Sequence, residues 1–247
     1  MKLGHRLSSI VDMIPMQYQH IWDCCCDHGL LGAEMLNRQL AKQIHFVDIV
    51  PDLMATVEQK LQRFYPIATD SNAHLPQWSV HTQDVAKLPL ADYNGTQLIV
   101  IAGVGGDLMA SMVNSLIQNN PQLTLDFLLC PVLQVATLRS TLIQHRCSLL
   151  DELLVTENKR FYELVYVRYQ AEGLAASKPL NNPLVSLFGD KIWQLPRNSH
   201  PASTLQTADL QRYLTVTINH YQKVAHNKGQ QVDNLVAGYQ HVLQQLS

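Results

Sequence analysis

The chain has no apolar run long enough to cross a bilayer; its longest, around Leu98 to Ala102 and Phe127 to Leu129, are of strand length. It also has little charge. Asp, Glu, Lys and Arg make up 15% of the residues, the net charge is −2, and no basic run extends beyond Lys159-Arg160. Composition therefore supplies no electrostatic footprint for nucleic acid. The N-terminal residues Met1-Lys2-Leu3-Gly4-His5-Arg6 lack the apolar core of a signal peptide, so the expected location is the cytoplasm. Metal-ligand spacing is lacking as well. Three of the five cysteines, Cys24, Cys25 and Cys26, are consecutive, and neighbouring side chains on a strand face opposite ways. No second Cys/His pair follows at suitable spacing, so the thiols read as small buried groups and no metal is expected. The first strand is not followed by G-x-G-x-x-G, and there is no Walker lysine, which argues against a dinucleotide or P-loop site.

What is present is an alternation of strands and helices. At 247 residues, 47% of them hydrophobic, the chain can hold one sizeable α/β domain and a smaller appendage. A helical stripe (Leu7, Ile10, Val11, Ile14) stops at Pro15. Strands are expected at His20 to Cys26, Ile44 to Ile49, Ser79 to Asp84, Gln97 to Ala102 and Asp126 to Cys130. Helices are expected from Leu30 to Leu40, from Pro51 to Phe64, from the Gly105-Gly106 turn through Ile117, and from Gln134 to His145. Tyr65 to Gln77 reads as a loop. Ser148 to Thr156 and Arg160 to Tyr169 form a terminal hairpin across Glu157-Asn158-Lys159. The result is a seven-stranded, mostly parallel, Rossmann-like sheet with an antiparallel edge. Residues 1–169 form this domain, 170–183 a linker rich in Ala, Ser, Asn and Pro, and 184–247 a C-terminal helical domain. In the last, Leu210, Leu214, Thr217, Tyr221 and Val224 recur at helical spacing. After His226-Asn227-Lys228-Gly229 so do Val232, Leu235, Val236, Tyr239, Val242, Leu243 and Leu246, giving a helical hairpin with a coiled-coil-like seam. Self-packing accounts for these stripes; a dimer through the hairpin stays open.

Chemistry concentrates at the ends of the first four strands, where a doubly wound sheet binds its ligand. Asp23-Cys24-Cys25-Cys26-Asp27-His28-Gly29 resembles the Asp-x-Gly-x-Gly/Asp turn of S-adenosylmethionine-dependent methyltransferases, with Cys25 in place of the middle glycine. Asp48, followed by Ile49, stands where an acid meets ribose hydroxyls. Asp84, followed by Val85, is placed to accept from an adenine amino group. Ala102-Gly103-Val104-Gly105-Gly106 lets backbone approach a ligand closely. The expected cofactor-binding set is therefore Asp23, Cys24, Cys25, Asp27, Asp48, Ile49, Asp84, Val85, Ala102, Gly103, Val104, Gly105 and Gly106. Plainer readings stay open: Asp48 as a helix cap, Asp84 as a turn acid, and the glycine cluster as a phosphate cradle.

Over nearly its whole length the chain resembles the bacterial tRNA (adenine-22-N1)-methyltransferases. The resemblance rests on a Leu-x-x-Arg-Leu-like helix (Leu3 to Leu7), Pro15, Asp23-x-x-x-Asp27-His28, and the acid and proline after the second strand. Ile101-Ala102-Gly103-x-Gly105-Gly106, Pro131 with Leu138-Arg139, Tyr162-Glu163 and a helical C-terminal extension complete it. It implies S-adenosylmethionine as cofactor and tRNA as partner. The family's Asp-Ile-Gly-Ser-Asp-His-Ala is altered here at Cys24 to Cys26 and at Gly29. Gln83 and Val85 flank Asp84 where the family tends to glycine, and Cys130-Pro131-Val132 stands where it has Gln-Pro-Asn. The acceptor side has thus changed more than the cofactor side.

On that resemblance adenine N1 is the nucleophile, and a carboxylate must meet the positive charge that develops on the ring. Asp27 is the candidate, with His28 orienting it; cofactor binding by Asp27 is an equal alternative, and His28 may be read simply as a helix-start residue. Cys130 as a nucleophile is disfavoured against a buried strand thiol. Arg139, Arg146, Lys159 and Arg160, together with Lys2, His5 and Arg6, could meet RNA phosphates, as could Arg212, Lys223 and Lys228. The alternatives are a non-catalytic module that binds RNA or protein, or a methyltransferase with another acceptor.

Overall fold

A computed structural model describes residues 3–15, 18–66, 77–171, 182–194, 205–228 and 230–246. The helix α1 (His5–Asp12) precedes β1 (Tyr18–Cys24). Then come α2 (Leu30–Asn37), β2 (Ala41–Asp48), α3 (Pro51–Phe64), β3 (Gln77–Thr82), β4 (Gln97–Ala102), α4 (Gly106–Asn119), β5 (Leu125–Cys130) and α5 (Val135–Gln144). The hairpin β6 (Ser148–Glu157) and β7 (Arg160–Tyr169) closes the sheet, and α6 (Thr207–Lys228) and α7 (Gln230–Gln245) follow. Strand order is β3-β2-β1-β4-β5-β7-β6, with β7 antiparallel to both neighbours. This is the seven-stranded Rossmann-like sheet expected.

Central strands are apolar throughout because both faces are covered. On one face Ile10, Ile21, Ile44, Val100 and Leu128 pack with α1, α2 and α3. On the other Trp22, Val47, Ile99, Ile101 and Leu129 pack with α4 and α5. Helices change faces between β1 and β4, and that switch opens a crevice at the carboxyl ends of these two strands.

Several boundaries move. β1 ends at Cys24, two residues earlier than expected, because Cys25 takes a left-handed φ of 56° that a strand cannot continue. The second helix ends at Asn37, and Gln39 turns with φ 54° into a strand that already begins at Ala41. β3 ends at Thr82, so Asp84 lies beyond it, capping the 3-10 turn Val85–Lys87. Most of the Tyr65–Gln77 loop and of the 170–183 linker lies outside the described residues, as does Lys2.

Residues 182–194, assigned from sequence to the C-terminal unit, run along the first one. Leu149 N–H donates to Pro183 O, Val185 N–H to Cys147 O, and the amides of Asp190 and Lys191 donate to Glu152 Oε1. Arg139 stands at the centre of this seam. It pairs with Glu152 at 2.6 Å and Glu163 at 2.7 Å and is 0% exposed, while Tyr213 of α6 hydrogen-bonds Glu163. An RNA contact by Arg139 is therefore excluded; its charge is consumed in the interior. The hairpin seam forms much as the periodicity implies: Leu214, Ile218 and Tyr239 are its buried centre, flanked by Tyr221, Val236, Val242, Leu243 and Leu246. Among the described residues no helix is long and apolar enough to cross a membrane.

Candidate active site

The crevice between β1 and β4 contains a cavity of about 390 Å³. Its walls are the segment Asp23 to His28, the start of α2, the Ala102-Gly103-Val104 turn, and Arg6 and Leu7 of α1. A volume of this order lies within the range of small-molecule sites.

Asp23 is 2% exposed. Its Oδ2 accepts the N–H of Gly32 at 2.7 Å, which anchors α2 to the strand end. A Cβ on Gly32 would stand 2.8 Å from that oxygen and closer still to the Phe46 ring, so only glycine allows the approach. Burial pushes the Asp23 carboxyl up to about 7; the Gly32 hydrogen bond opposes this and nearby Asp48 adds to it.

The turn beyond is wound by alternating left-handed residues, Cys25 (φ 56°), Asp27 (φ 50°) and Gly29 (φ 71°). Only the third is a glycine, so the Cys25 replacement falls where a side chain costs about 1–2 kcal/mol. Asp48 at the end of β2 ties the turn down: Oδ2 accepts from Asp27 N–H and Oδ1 from Val50 N–H, both at 3.2 Å. Cys26 N–H donates to Val47 O at 3.1 Å. Asp48 thus combines a local structural role with its place at the crevice, since each carboxylate oxygen keeps lone pairs for a further donor. Ile49 and Val50 beside it are exposed. Asp27 and His28 project outward, their side chains 72% and 58% exposed, with Oδ1 and Nε2 3.7 Å apart.

The glycine-rich turn divides into two functions. Gly103 has φ 88° with nothing within 4 Å of a notional Cβ, so bare backbone faces the cavity there. Gly105 and Gly106 instead admit the β5–α5 loop. A Cβ on Gly106 would lie 2.1 Å from Gln134 O, and the Gly106 and Val132 amides donate to Leu133 O and Val104 O.

Of the expected cofactor residues, Asp23, Cys24, Cys25, Asp27, Ala102, Gly103 and Val104 line one cavity. Asp48, Ile49, Asp84 and Val85 lie outside its walls. Asp84 Oδ1 accepts Ala86 N–H at 2.9 Å, and the Val85 side chain is buried in the core, leaving only its backbone to meet a ligand. Cys130 is buried, and loss of water pushes its thiol up to about 12 against the lowering effect of Arg6, which does not suit a nucleophile. Arg6, read from sequence as a phosphate contact, turns inward instead; its place in the wall was invisible because it depends on α1 folding back over the strand ends. His5, Arg146, Lys159 and Arg160 are exposed.

A family model described as a methyltransferase domain matches residues 3–165. No curated protein matches the sequence. Solved structures do resemble the fold. One is an uncharacterized protein from Listeria monocytogenes serotype 4b (TM-score 0.68, 17% identity, 99% of this chain and 98% of that one). A second is the B. subtilis m1A22 tRNA methyltransferase TrmK (0.63, 17%, 99% and 97%). A third is M. capricolum TrmK in complex with S-adenosyl-homocysteine (0.63, 15%, 100% and 96%).

Proposed function

Because this chain belongs to the methyltransferase-domain family, we propose that it binds S-adenosylmethionine and transfers its methyl group to N1 of an adenine in tRNA. The observation that carries the reading is the convergence of the β1 turn and the bare Gly103 turn on one cavity, with Asp48 and Asp84 beyond its mouth. The residues present fit the cofactor. The cavity suits an amino-acid arm, Asp48 keeps acceptor capacity for ribose hydroxyls, and exposed Ile49 offers an apolar surface to a purine. When bound, the cofactor supplies an electrophilic methyl group.

The remaining work belongs to the chain. Adenine N1 attacks directly, so no covalent enzyme intermediate is needed; the base must be unstacked and held in line. Asp27, exposed at the rim and held in position by its own N–H on Asp48, supplies the carboxylate that meets the charge developing on the ring, and His28 lies at its side. The solvent-facing Asp27 can reach a large acceptor, whereas buried Asp23 cannot. Support for the tRNA assignment is the full-length likeness to TrmK.

One observation favours a second reading in which the acceptor differs. Val132 and Leu133, on the loop strapped to the glycine turn, are exposed and apolar, as is Leu108. Such a rim would suit an acceptor held by stacking or apolar contact. Calorimetric titration with S-adenosylhomocysteine tests cofactor binding. Methyl transfer to unmodified bacterial tRNA, mapped by reverse-transcription stops at N1-methyladenine, tests the acceptor. Binding without tRNA methylation would favour the second reading, and no binding would remove both. Asp27→Asn should lower the methylation rate by about 100-fold or more while leaving cofactor affinity within about 2-fold; an undiminished rate would remove the carboxylate role.

A further inference from the structure

Arg6 is the sole lysine or arginine among the residues lining the cavity. Its surroundings hold the guanidinium in place without satisfying it. The backbone N–H of Arg6 donates to Glu157 Oε1 at 3.1 Å, fixing α1 against the end of β6. The guanidinium lies over the Tyr162 ring, 4.9 Å from its centre, a stacking contact that sets the plane of the fork. Glu157 Oε2 is 3.8 Å from Nε, near enough to share charge and too far for a hydrogen bond. The side chain is only 18% exposed, and both Nε and Nη1 are buried with no hydrogen-bond partner.

Buried guanidinium N–H groups without acceptors cost free energy, and such groups persist where a ligand completes them. The opposite wall of the same cavity carries Asp23, Asp27 and the open backbone of Gly103. One cation facing two acids across a small cavity complements a zwitterion better than a phosphate, which the acids would repel.

We propose that Arg6 binds the α-carboxylate of the cofactor's amino-acid arm, in a subsite whose other wall, around Asp23, takes the ammonium. This rests on the cofactor assignment above. Arg6 is then a cofactor-binding residue rather than an RNA contact, and Glu157 and Tyr162 are positioning residues. A planar fork explains the choice of arginine, because it can offer a carboxylate two parallel N–H groups.

The test compares S-adenosylhomocysteine with 5′-methylthioadenosine, which keeps the nucleoside thioether and lacks the amino-acid arm. Both are titrated calorimetrically into wild-type protein, Arg6→Met and Arg6→Lys. Loss of a charge-assisted hydrogen-bond pair should weaken S-adenosylhomocysteine binding to Arg6→Met by about 10- to 100-fold. Affinity for 5′-methylthioadenosine should stay the same, and Arg6→Lys should recover part of the loss. Equal weakening of both ligands would assign Arg6 to the fold and overturn the proposal. Unchanged S-adenosylhomocysteine affinity would overturn it too, and if tRNA binding alone fell, the guanidinium would be a phosphate contact. Should wild-type protein bind neither ligand, the cofactor assignment itself fails; binding by wild type that is indifferent to Arg6 removes only the present proposal.

Discussion

Lowering the pH should destabilise this protein through one buried histidine. His45, in the middle of β2, is fully buried. Its Nε2 lies 3.1 Å from His20 Nδ1, and its Nδ1 lies 3.0 Å from His81 Nε2 and 2.8 Å from Ser79 Oγ. Trp22 stacks on the ring at 3.8 Å and Tyr93 meets it edge-on at 4.7 Å. Burial, followed by repulsion from His81 and His20, lowers its pKa from 6.5 to about 3. The folded protein therefore holds His45 neutral where the unfolded chain protonates it. Stability from this group is complete above the unfolded value of 6.5 and is lost as the pH falls from there towards 3. At pH 5 the loss is about 2 kcal/mol, roughly 1.4 kcal/mol for each pH unit below 6.5. Asp23 works in the opposite direction: its carboxyl is raised to about 7, so its contribution grows as the pH falls below 7. Wild-type stability alone mixes the two, and His45→Gln separates them. Urea unfolding followed by tryptophan fluorescence, in which Trp22 reports on this stack, would be run on both proteins from pH 7.5 to 5. Wild type should lose about 2 kcal/mol more than His45→Gln over that interval. Parallel profiles would refute the reasoning, because they would mean that the folded protein accepts a proton on His45 as readily as water does.

Three further outcomes follow from the packing. Arg139→Met should cost about 3–5 kcal/mol in urea unfolding, since it leaves Glu152 and Glu163 buried without their cation; a loss below about 1 kcal/mol would show the cluster reorganises. Cys25→Gly removes a left-handed penalty of about 1–2 kcal/mol and adds about 0.5–1 kcal/mol of unfolded-chain entropy, so its stability should equal or slightly exceed that of wild type. A clear fall in melting temperature would show that the Cys25 side chain contributes more by packing than it costs in strain. Gly106→Ala should lower stability by about 1–3 kcal/mol, because the added carbon meets the Gln134 carbonyl rather than a flexible side chain; thermal unfolding reads this directly.

Much of the architecture is written locally. Uninterrupted apolar runs such as Gln97–Ala102 are buried on both faces wherever they sit in a parallel sheet, so their pattern reports the strand without its neighbours. The 3.6-residue spacing of Leu214, Tyr221, Val236 and Tyr239 likewise defines a seam before its partner helix is known. Acids and glycines at strand ends could be read as a site because a doubly wound sheet always turns those ends towards its crevice. Strand ends were less legible. Cys25 and Gln39 adopt left-handed backbone with residue types that do not advertise it, and each shifted a boundary.

What sequence alone determined, then, is the set of elements, their order and the end of the sheet that carries the chemistry, because these follow from periodicity and turn residues within short stretches of chain. Tertiary structure decided which charges are free to act. Arg139 and Arg6 look alike as isolated basic residues on helices, yet one is neutralised by Glu152 and Glu163 in the interior and the other faces a cavity with unmet donors. It also split Gly103 from Gly106, one bare to the cavity and the other pressed against a loop. The physical reason is common to all four. A charge or a missing side chain takes its meaning from atoms contributed by segments far away in sequence, and these meet only when the sheet closes.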